Sequence, residues 1–378
     1  MTTPSKEGRT NSRPGLFAGG FSIGKVLLEG RAFLALIVII LVFSMLSPDY
    51  FTVNNVLTMS SHVSIYALLA IGSLLVILNG GIDLSVGSTL GLSGVMAGLM
   101  MKGINIKALG ITLFPSVWVV VIIACAVGAF IGLLNGILVA RFKVAPFVAT
   151  LGTLYAVRGV ALLITNGLTY NDLSGKPELG NTGFDWLGFN TLIGIPIGVL
   201  VMIAVAIVGS VVLNRTVFGR WLYASGGNER AAELSGVPVR KVKVWVYVAS
   251  GVCAAIAGVI LSSELTSASP TAGTTYELTA IAAVVIGGAS LMGGRGNIRG
   301  TLLGAFVIGF LSDGLVIVGV SSYWQTVFTG AVIILAVLLN AVQYRGRRKR
   351  QAADGAPPGN SSRLGPPESA PPLEKIAG

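Results

Sequence analysis

The chain of 378 residues is 53% apolar and only 11% charged, with a mean hydropathy of +0.82. So little charge excludes a soluble globular surface at this length. The net charge of +11 is accounted for by where the cations fall around the apolar runs, so it implies no nucleic acid partner.

A membrane-crossing helix needs roughly 20 mostly apolar residues. After a polar leader, apolar segments fall at about 31–47, 57–78, 86–101, 117–140, 145–165, 192–213, 244–264, 277–293, 300–318 and 323–342. The pattern predicts an all-α fold, a polytopic membrane helix bundle of about ten transmembrane helices. The third and eighth segments are short and rich in Gly, Ser and Ala, as broken or tilted central segments are. Ser44-Met-Leu-Ser-Pro48 lacks the small-x-small pattern of a cleavage site, so no signal peptide is expected. The 51 glycines suit close helix packing in lipid. Cys125 and Cys253 fall in apolar segments and read as small core residues. The expected divisions are a cytoplasmic leader over 1–30, a transmembrane domain over 31–345 and a disordered Pro-rich tail over 346–378.

The cations test this topology. Of the 26 Lys and Arg, all but Lys102, Lys107, Lys176 and Arg158 fall in the leader, the tail or alternate loops. The positive-inside rule then puts both termini in the cytoplasm and requires an even number of spans. Ten fits; eight, with the two short segments re-entrant, is the competing count. Trp118, Trp186, Trp221, Trp245 and Trp324 sit near span ends, where aromatic rings anchor to the interface. The basic cluster at 345–350 is expected to hold to anionic lipid headgroups.

Few polar residues interrupt the apolar runs. Asn79-Gly-Gly-Ile-Asp-Leu-Ser-Val-Gly-Ser88 joins the second and third segments. Its glycines release the backbone from regular helix and leave Asn79, Asp83 and Ser85 beside unwound amides, as in a solute pathway. A tight turn with a capping Asp is the other reading, and both stand. Gly287–Gly294 shares the pattern Gly-Gly-x-[Asp/Ser]-Leu-x-x-Gly with it. Arg158 is the one Arg well inside a span, where a charge needs a partner or water. Asp83 and Asp313 are carboxylates at comparable depth, with Glu264 and Glu277 nearer the outer edge. Arg158 therefore either locks helices through an ion pair or contacts the solute. His62, the single histidine, reads as a packing or interfacial residue. Intramembrane acids are too scattered for a proton relay through Asp313.

Between the sixth and seventh segments lies a polar island over 214–243. Within it, Asn228-Glu-Arg-Ala-Ala-Glu-Leu-Ser-Gly236 has the marks of one short exposed helix. Asn228 can cap it, Glu229 meets the positive dipole end, Gly236 suits the C-cap and Pro238 blocks continuation. Such a helix gives a partner something to grip and points to a transport subunit driven from outside its own chain. The chain has no Gly-x4-Gly-Lys-[Ser/Thr] loop, no His/Cys metal spacing and no nucleophile–base set, so enzymatic chemistry finds no support.

These motifs resemble the ribose-type permeases, the membrane subunits of bacterial ABC importers for monosaccharides. The similarity is carried by Asn79–Ser88, Thr150–Gly159, Gly226–Pro238, Gly287–Gly300 and Gly319-Val-Ser-Ser-Tyr-Trp-Gln325, in order over about 31–345. It implies a multi-pass permease of the bacterial inner membrane that pairs with a second copy or a sister permease. It further implies ABC ATPase subunits on the cytoplasmic face and a periplasmic sugar-binding protein. ATP is then used by the partner subunit, and this chain itself needs no cofactor. By position, Asn228, Glu229, Arg230, Ala231, Ala232, Glu233 and Gly236 resemble the coupling helix that docks into the ATPase, and Arg158 the family's intramembrane Arg. Asn79, Asp83, Ser85, Arg158 and Asp313 are the candidate pathway residues. Asp313 departs from the family pattern, where Asn is expected, which puts its pathway role in doubt. The polar outer loop over 166–190, with Asp172, Glu178, Asp185 and Trp186, is a candidate landing surface for the binding protein. The alternatives are a branched-chain amino acid ABC permease, an ion-coupled carrier working alone, and a scaffold or lipid-binding protein. The Gly-Gly-Ile-Asp-Leu-Ser string favours the sugar branch, and the sugar itself is left open.

Overall fold

The computed structural model describes residues 31–106, 110–332, 334, 335 and 338. The expected leader, the basic cluster at 345–350 and the Pro-rich tail lie outside them. Among the described residues, twelve α-helices follow in order from Arg31 to Ile317. They are α1 (Arg31–Leu46), α2 (Val53–Leu78), α3 (Val86–Lys102), α4 (Val117–Ala140), α5 (Pro146–Thr165) and the single turn α6 (Trp186–Phe189). Next come α7 (Ile197–Arg215), α8 (Val217–Gly227), α9 (Glu229–Leu234), α10 (Val239–Glu264), α11 (Tyr276–Ile286) and α12 (Ile298–Ile317). Residues 322–332 are also helical, and most of the tenth expected span beyond them is outside the described residues. Three two-stranded antiparallel ladders close loops: β1 (Ile104–Ile106) with β2 (Ile111–Leu113), β3 (Tyr170–Asn171) with β6 (Ser267–Ala268), and β4 (Thr191–Leu192) with β5 (Ile195–Pro196).

The chain is mostly helical, and six described helices are long and apolar enough to cross a membrane: α2, α4, α5, α7, α10 and α12. The differences from the expected segments have local causes. The second starts earlier, at Val53, because the Thr52 hydroxyl caps the helix by accepting from the Asn55 amide. The sixth starts later, because Thr191–Pro196 forms the β4–β5 hairpin. The seventh reaches back to Val239, where Pro238 sets its first turn. The eighth is cut to Tyr276–Ile286, since the chain leaves the helix at Gly287 and enters a left-handed turn at Gly288, φ +92°.

Helices α2 and α10 form the centre. The most apolar stretch of α2 is 89% buried, against 22% for α5. Around them, α4, α5 and α7 turn Trp118, Ile122, Phe130, Phe147, Leu163, Ile207 and Val208 outward. That much exposed apolar side chain suits lipid and would drive association in water. Close approach of α4 to α10 requires glycine. A Cβ on Gly132 would strike the Tyr247 carbonyl, one on Gly251 would strike the Gly128 carbonyl, and one on Gly136 would sit 2.8 Å from the Val244 Cα. Such small-residue contacts let dispersion act along the full helix length.

The ends of the bundle differ in charge. Ser210, Asn214, Arg215, Asn297 and Arg299 line one cleft of about 570 Å³. Arg141, Arg240, Lys241 and Trp245 line a second. Both lie where α4 and α7 finish and α10 and α12 begin, which defines a basic end.

Candidate functional site

At the basic end the polar island folds as two short helices. The Thr216 hydroxyl caps α8 by accepting from the Gly219 amide at 3.3 Å. Asn228 Oδ1 caps α9 by accepting from the Ala231 amide at 3.0 Å, and Gly236 takes a left-handed φ of +83°. Ala232 is the single buried residue of α9 and anchors it, so it is not part of the exposed face expected from sequence. That face is Glu229, Arg230, Ala231, Glu233 and Leu234, with Leu234 75% exposed. Lys243 Nζ donates to Glu229 Oε1 at 2.7 Å, tying α9 to the first turn of α10. An exposed ion pair of this kind contributes about 0–1 kcal/mol. The Arg230–Glu233 pair, at 3.1 Å, lies within α9 itself.

Asn79 belongs to this end and not to the interior. Its Nδ2 donates to Ser225 Oγ of α8 at 2.8 Å. Beside it the Gly294 amide donates to the Leu78 carbonyl at 2.9 Å, and the Tyr223 hydroxyl donates to the Gly296 carbonyl at 2.8 Å. Burial raises the Tyr223 phenol above its ordinary value, so it stays a protonated donor. The two glycine strings, far apart in sequence, therefore meet each other and α8. Gly293 and Gly294 adopt φ of +86° and +69° to do so, and a Cβ on Gly226 would overlap the Leu78 carbonyl. The shared Gly-Gly pattern was the sequence signal for this junction; Tyr223 and Ser225 carried none.

Asp83 and Ser85 lie deeper and are fully engaged. Asp83, 2% exposed, accepts at Oδ1 from the Ser85 amide (2.9 Å) and hydroxyl (2.7 Å), and at Oδ2 from the Ser250 hydroxyl of α10 (3.0 Å). Ser85 Oγ in turn accepts from Asn135 Nδ2 of α4 at 2.8 Å, and Asn135 Oδ1 accepts from the Thr153 hydroxyl of α5 at 2.7 Å. The network joins the 79–85 loop to α4, α5 and α10. A buried carboxylate is costly unless its oxygens are satisfied, and here both are. Asn135, Thr153 and Ser250 were not singled out from sequence, because lone Asn, Thr and Ser in apolar helices give no pattern.

Arg158 stands apart from Asp83 and from Asp313. Its Nη1 donates to the Pro270 and Ala272 carbonyls at 2.6 and 2.7 Å. Among the described residues no carboxylate lies within salt-bridge distance of it. The charge is held by backbone dipoles of the segment entering α11, and the Glu277 carboxylate in the first turn of α11 acts on it electrostatically from beyond that distance. Asp313 instead meets the lone histidine: His62 Nδ1 lies 3.3 Å from both Asp313 oxygens, and its Nε2 lies 3.6 Å from Glu264 Oε1. One titratable cluster thus joins α2, α10 and α12 at the end of the bundle opposite the basic one. His62 does more than pack. Among the described residues, no group of three or more His, Cys, Asp or Glu is arranged to hold a metal ion.

The outer loop is built, not loose. Phe184 and Leu173 are buried, Asn181 Nδ2 donates to the Met101 carbonyl at 3.0 Å, and the Ser263 hydroxyl donates to the Phe184 carbonyl at 2.6 Å.

Residues 55–337 match the family of branched-chain amino acid transport system permease components. The chain belongs to that permease family. It is 42% identical over 330 residues to the ribose import permease protein of Haemophilus influenzae, covering 87% of this chain and 97% of the relative. It is 45% identical over 314 residues to the ribose import permease protein of Escherichia coli K12, covering 83% and 94%. The galactose/methyl galactoside import permease protein of Escherichia coli K12 is 34% identical over 333 residues, covering 85% and 96%. No solved structure matches the chain.

Proposed function

We propose that this protein is the membrane-spanning permease subunit of an ATP-driven, binding-protein-dependent importer that moves a monosaccharide or similar polyol by alternating access. The observation that carries the reading is the capped, exposed α9 at the basic end of a bundle whose relatives are named as sugar import permeases. Those relatives favour the sugar branch over the amino acid branch, although the family's description names the latter. A carrier working alone has no use for such a helix.

In this reading the basic end faces the cytoplasm of a bacterial inner membrane, as the positive-inside rule requires, and the chain crosses ten times with both termini inside. Glu229, Arg230, Ala231, Glu233 and Leu234 form the surface that a separate ABC ATPase subunit grips, with Asn228 and Gly236 fixing the helix ends and Ala232 its seat. ATP is bound and hydrolysed on that partner, and this chain carries no cofactor. A second permease, copy or sister, completes the cavity, and a periplasmic sugar-binding protein delivers the solute to the opposite end. Arg158 and Asp313 lie on the outer half of the path, while Asp83, Ser85 and Asn79 hold the inner half in register. A weak path suffices, since tight binding within the membrane slows release.

The test is purification of the tagged chain from its native membranes in mild detergent. A co-purifying ABC ATPase with vanadate-sensitive hydrolysis, and ATP-dependent D-ribose uptake into vesicles given the binding protein, is the expected outcome. A chain that purifies alone and moves solute under an ion gradient would overturn the reading.

A further inference from the structure

The importer reading leaves open how a push on α9 reaches the two interrupted segments, the 79–85 loop before α3 and the 287–297 loop after α11. We infer that Tyr223 and Asn79 are positioning residues that carry displacement of the α8–α9 pair into both loops at once. The inference rests on that reading for its function and on geometry alone for the mechanical tie.

Three stretches of backbone meet with no room between them. A Cβ on Gly293 would lie 2.7 Å from the Gly226 carbonyl oxygen and 3.0 Å from the Gly80 amide nitrogen, and one on Gly294 would lie 2.9 Å from Gly227. Close-packed interiors have low compressibility and transmit strain, so a shift of one of these stretches presses on the others. Three hydrogen bonds close a triangle around the junction. Asn79 to Ser225 ties the first loop to α8, Tyr223 to Gly296 ties the second loop to α8, and Gly294 to Leu78 ties the second loop to the last residue of α2, where the first loop begins.

Each loop then leads inward. Gly80–Ser85 ends on the Asp83 network, which grips α10 through Ser250 and reaches α4 and α5 through Ser85, Asn135 and Thr153. Gly296 leads to Asn297, whose side chain caps α12 by accepting from the Gly300 amide at 2.7 Å. A displacement of α8 is therefore shared between the α3 and α12 sides. The fixed network and the closed triangle leave no slack through which one loop alone could absorb it.

The test compares wild type with Tyr223→Phe and Asn79→Ala in the assembled transporter in lipid nanodiscs. Both variants leave the exposed face of α9 untouched, so ATPase association is expected to be unchanged. Hydrogen exchange over 79–85 and 287–297 is expected to quicken together, on the order of fivefold, in each single variant, as one lost hydrogen bond loosens the whole junction. D-ribose uptake per ATP hydrolysed is expected to fall several-fold, a change that simple loss of folded protein does not produce. Loosening confined to the loop that lost its tie, or an unchanged uptake-to-hydrolysis ratio, would overturn the inference. Should Tyr223→Phe fail to assemble, Ser225→Ala cuts the Asn79 tie from the α8 side and is read the same way. A wild-type chain that purifies without an ABC ATPase and moves solute under an ion gradient would sink the importer reading instead. The exchange measurement still decides the tie in that event.

Discussion

Arg158 shows how a residue can be singled out from sequence while its hydrogen-bond partners stay unseen. The apolar run around it made a counter-charge or solute contact the natural expectation, because a lone cation in lipid is costly. The structure supplies two carbonyls, from Pro270 and Ala272, as its hydrogen-bond acceptors, with the Glu277 carboxylate acting on the charge from beyond contact distance. Carbonyls are invisible to a reading based on side-chain types. Removing the side chain leaves both acceptors unpaired, at about 1–3 kcal/mol each where they are buried. Arg158→Ala is therefore expected to abolish most sugar uptake at normal expression. Arg158→Lys, which keeps a donor, should retain a measurable part; equal uptake by both and by wild type would contradict this role. His62 teaches the opposite lesson. As the only histidine it was noticed, but Asp313 and Glu264 lie far from it in sequence, and only the folded chain brings them to 3.3 and 3.6 Å.

At the scale of elements, long apolar segments were legible to within about five residues at their ends; α4 runs from Val117 to Ala140, as expected, while α2 and α10 start earlier and α7 later. The least legible were α11, shortened by its terminal glycines, and the pairing of the two glycine strings, which no local periodicity encodes. Helix contacts also escape sequence, because glycine is common throughout and only some positions face a neighbour. That contrast can be measured. Gly251, against the Gly128 carbonyl, and Gly152, with nothing within 4 Å of its added Cβ, both sit inside helices. Gly251→Ala is expected to destabilise by about 1–3 kcal/mol through overpacking. Gly152→Ala should be neutral or gain about 0.5–1 kcal/mol from helix propensity. Thermal unfolding in detergent separates them, and equal shifts would refute the α4–α10 contact.

For the whole molecule, charge was the most legible property. The distribution of Lys and Arg along the chain matches the clefts at the basic end, where Arg141, Arg215, Arg240, Lys241 and Arg299 gather. The orientation proposed above is testable in a background with Cys125 and Cys253 replaced by alanine. A cysteine at Glu233 should react in intact cells only with membrane-permeant reagents, and one at Glu178 with impermeant ones as well. The reverse pattern would invert the topology. The two-residue β3–β6 ladder has a further bearing on that exposed side. It fastens the loop carrying Asp172 and Glu178 to Ser267–Ala268, just before the Pro270 and Ala272 carbonyls that Arg158 clasps. A short stretch of backbone thus ties that loop to the carbonyls around the half-buried guanidinium, so any displacement of the loop would pull on them without a side chain having to enter the membrane.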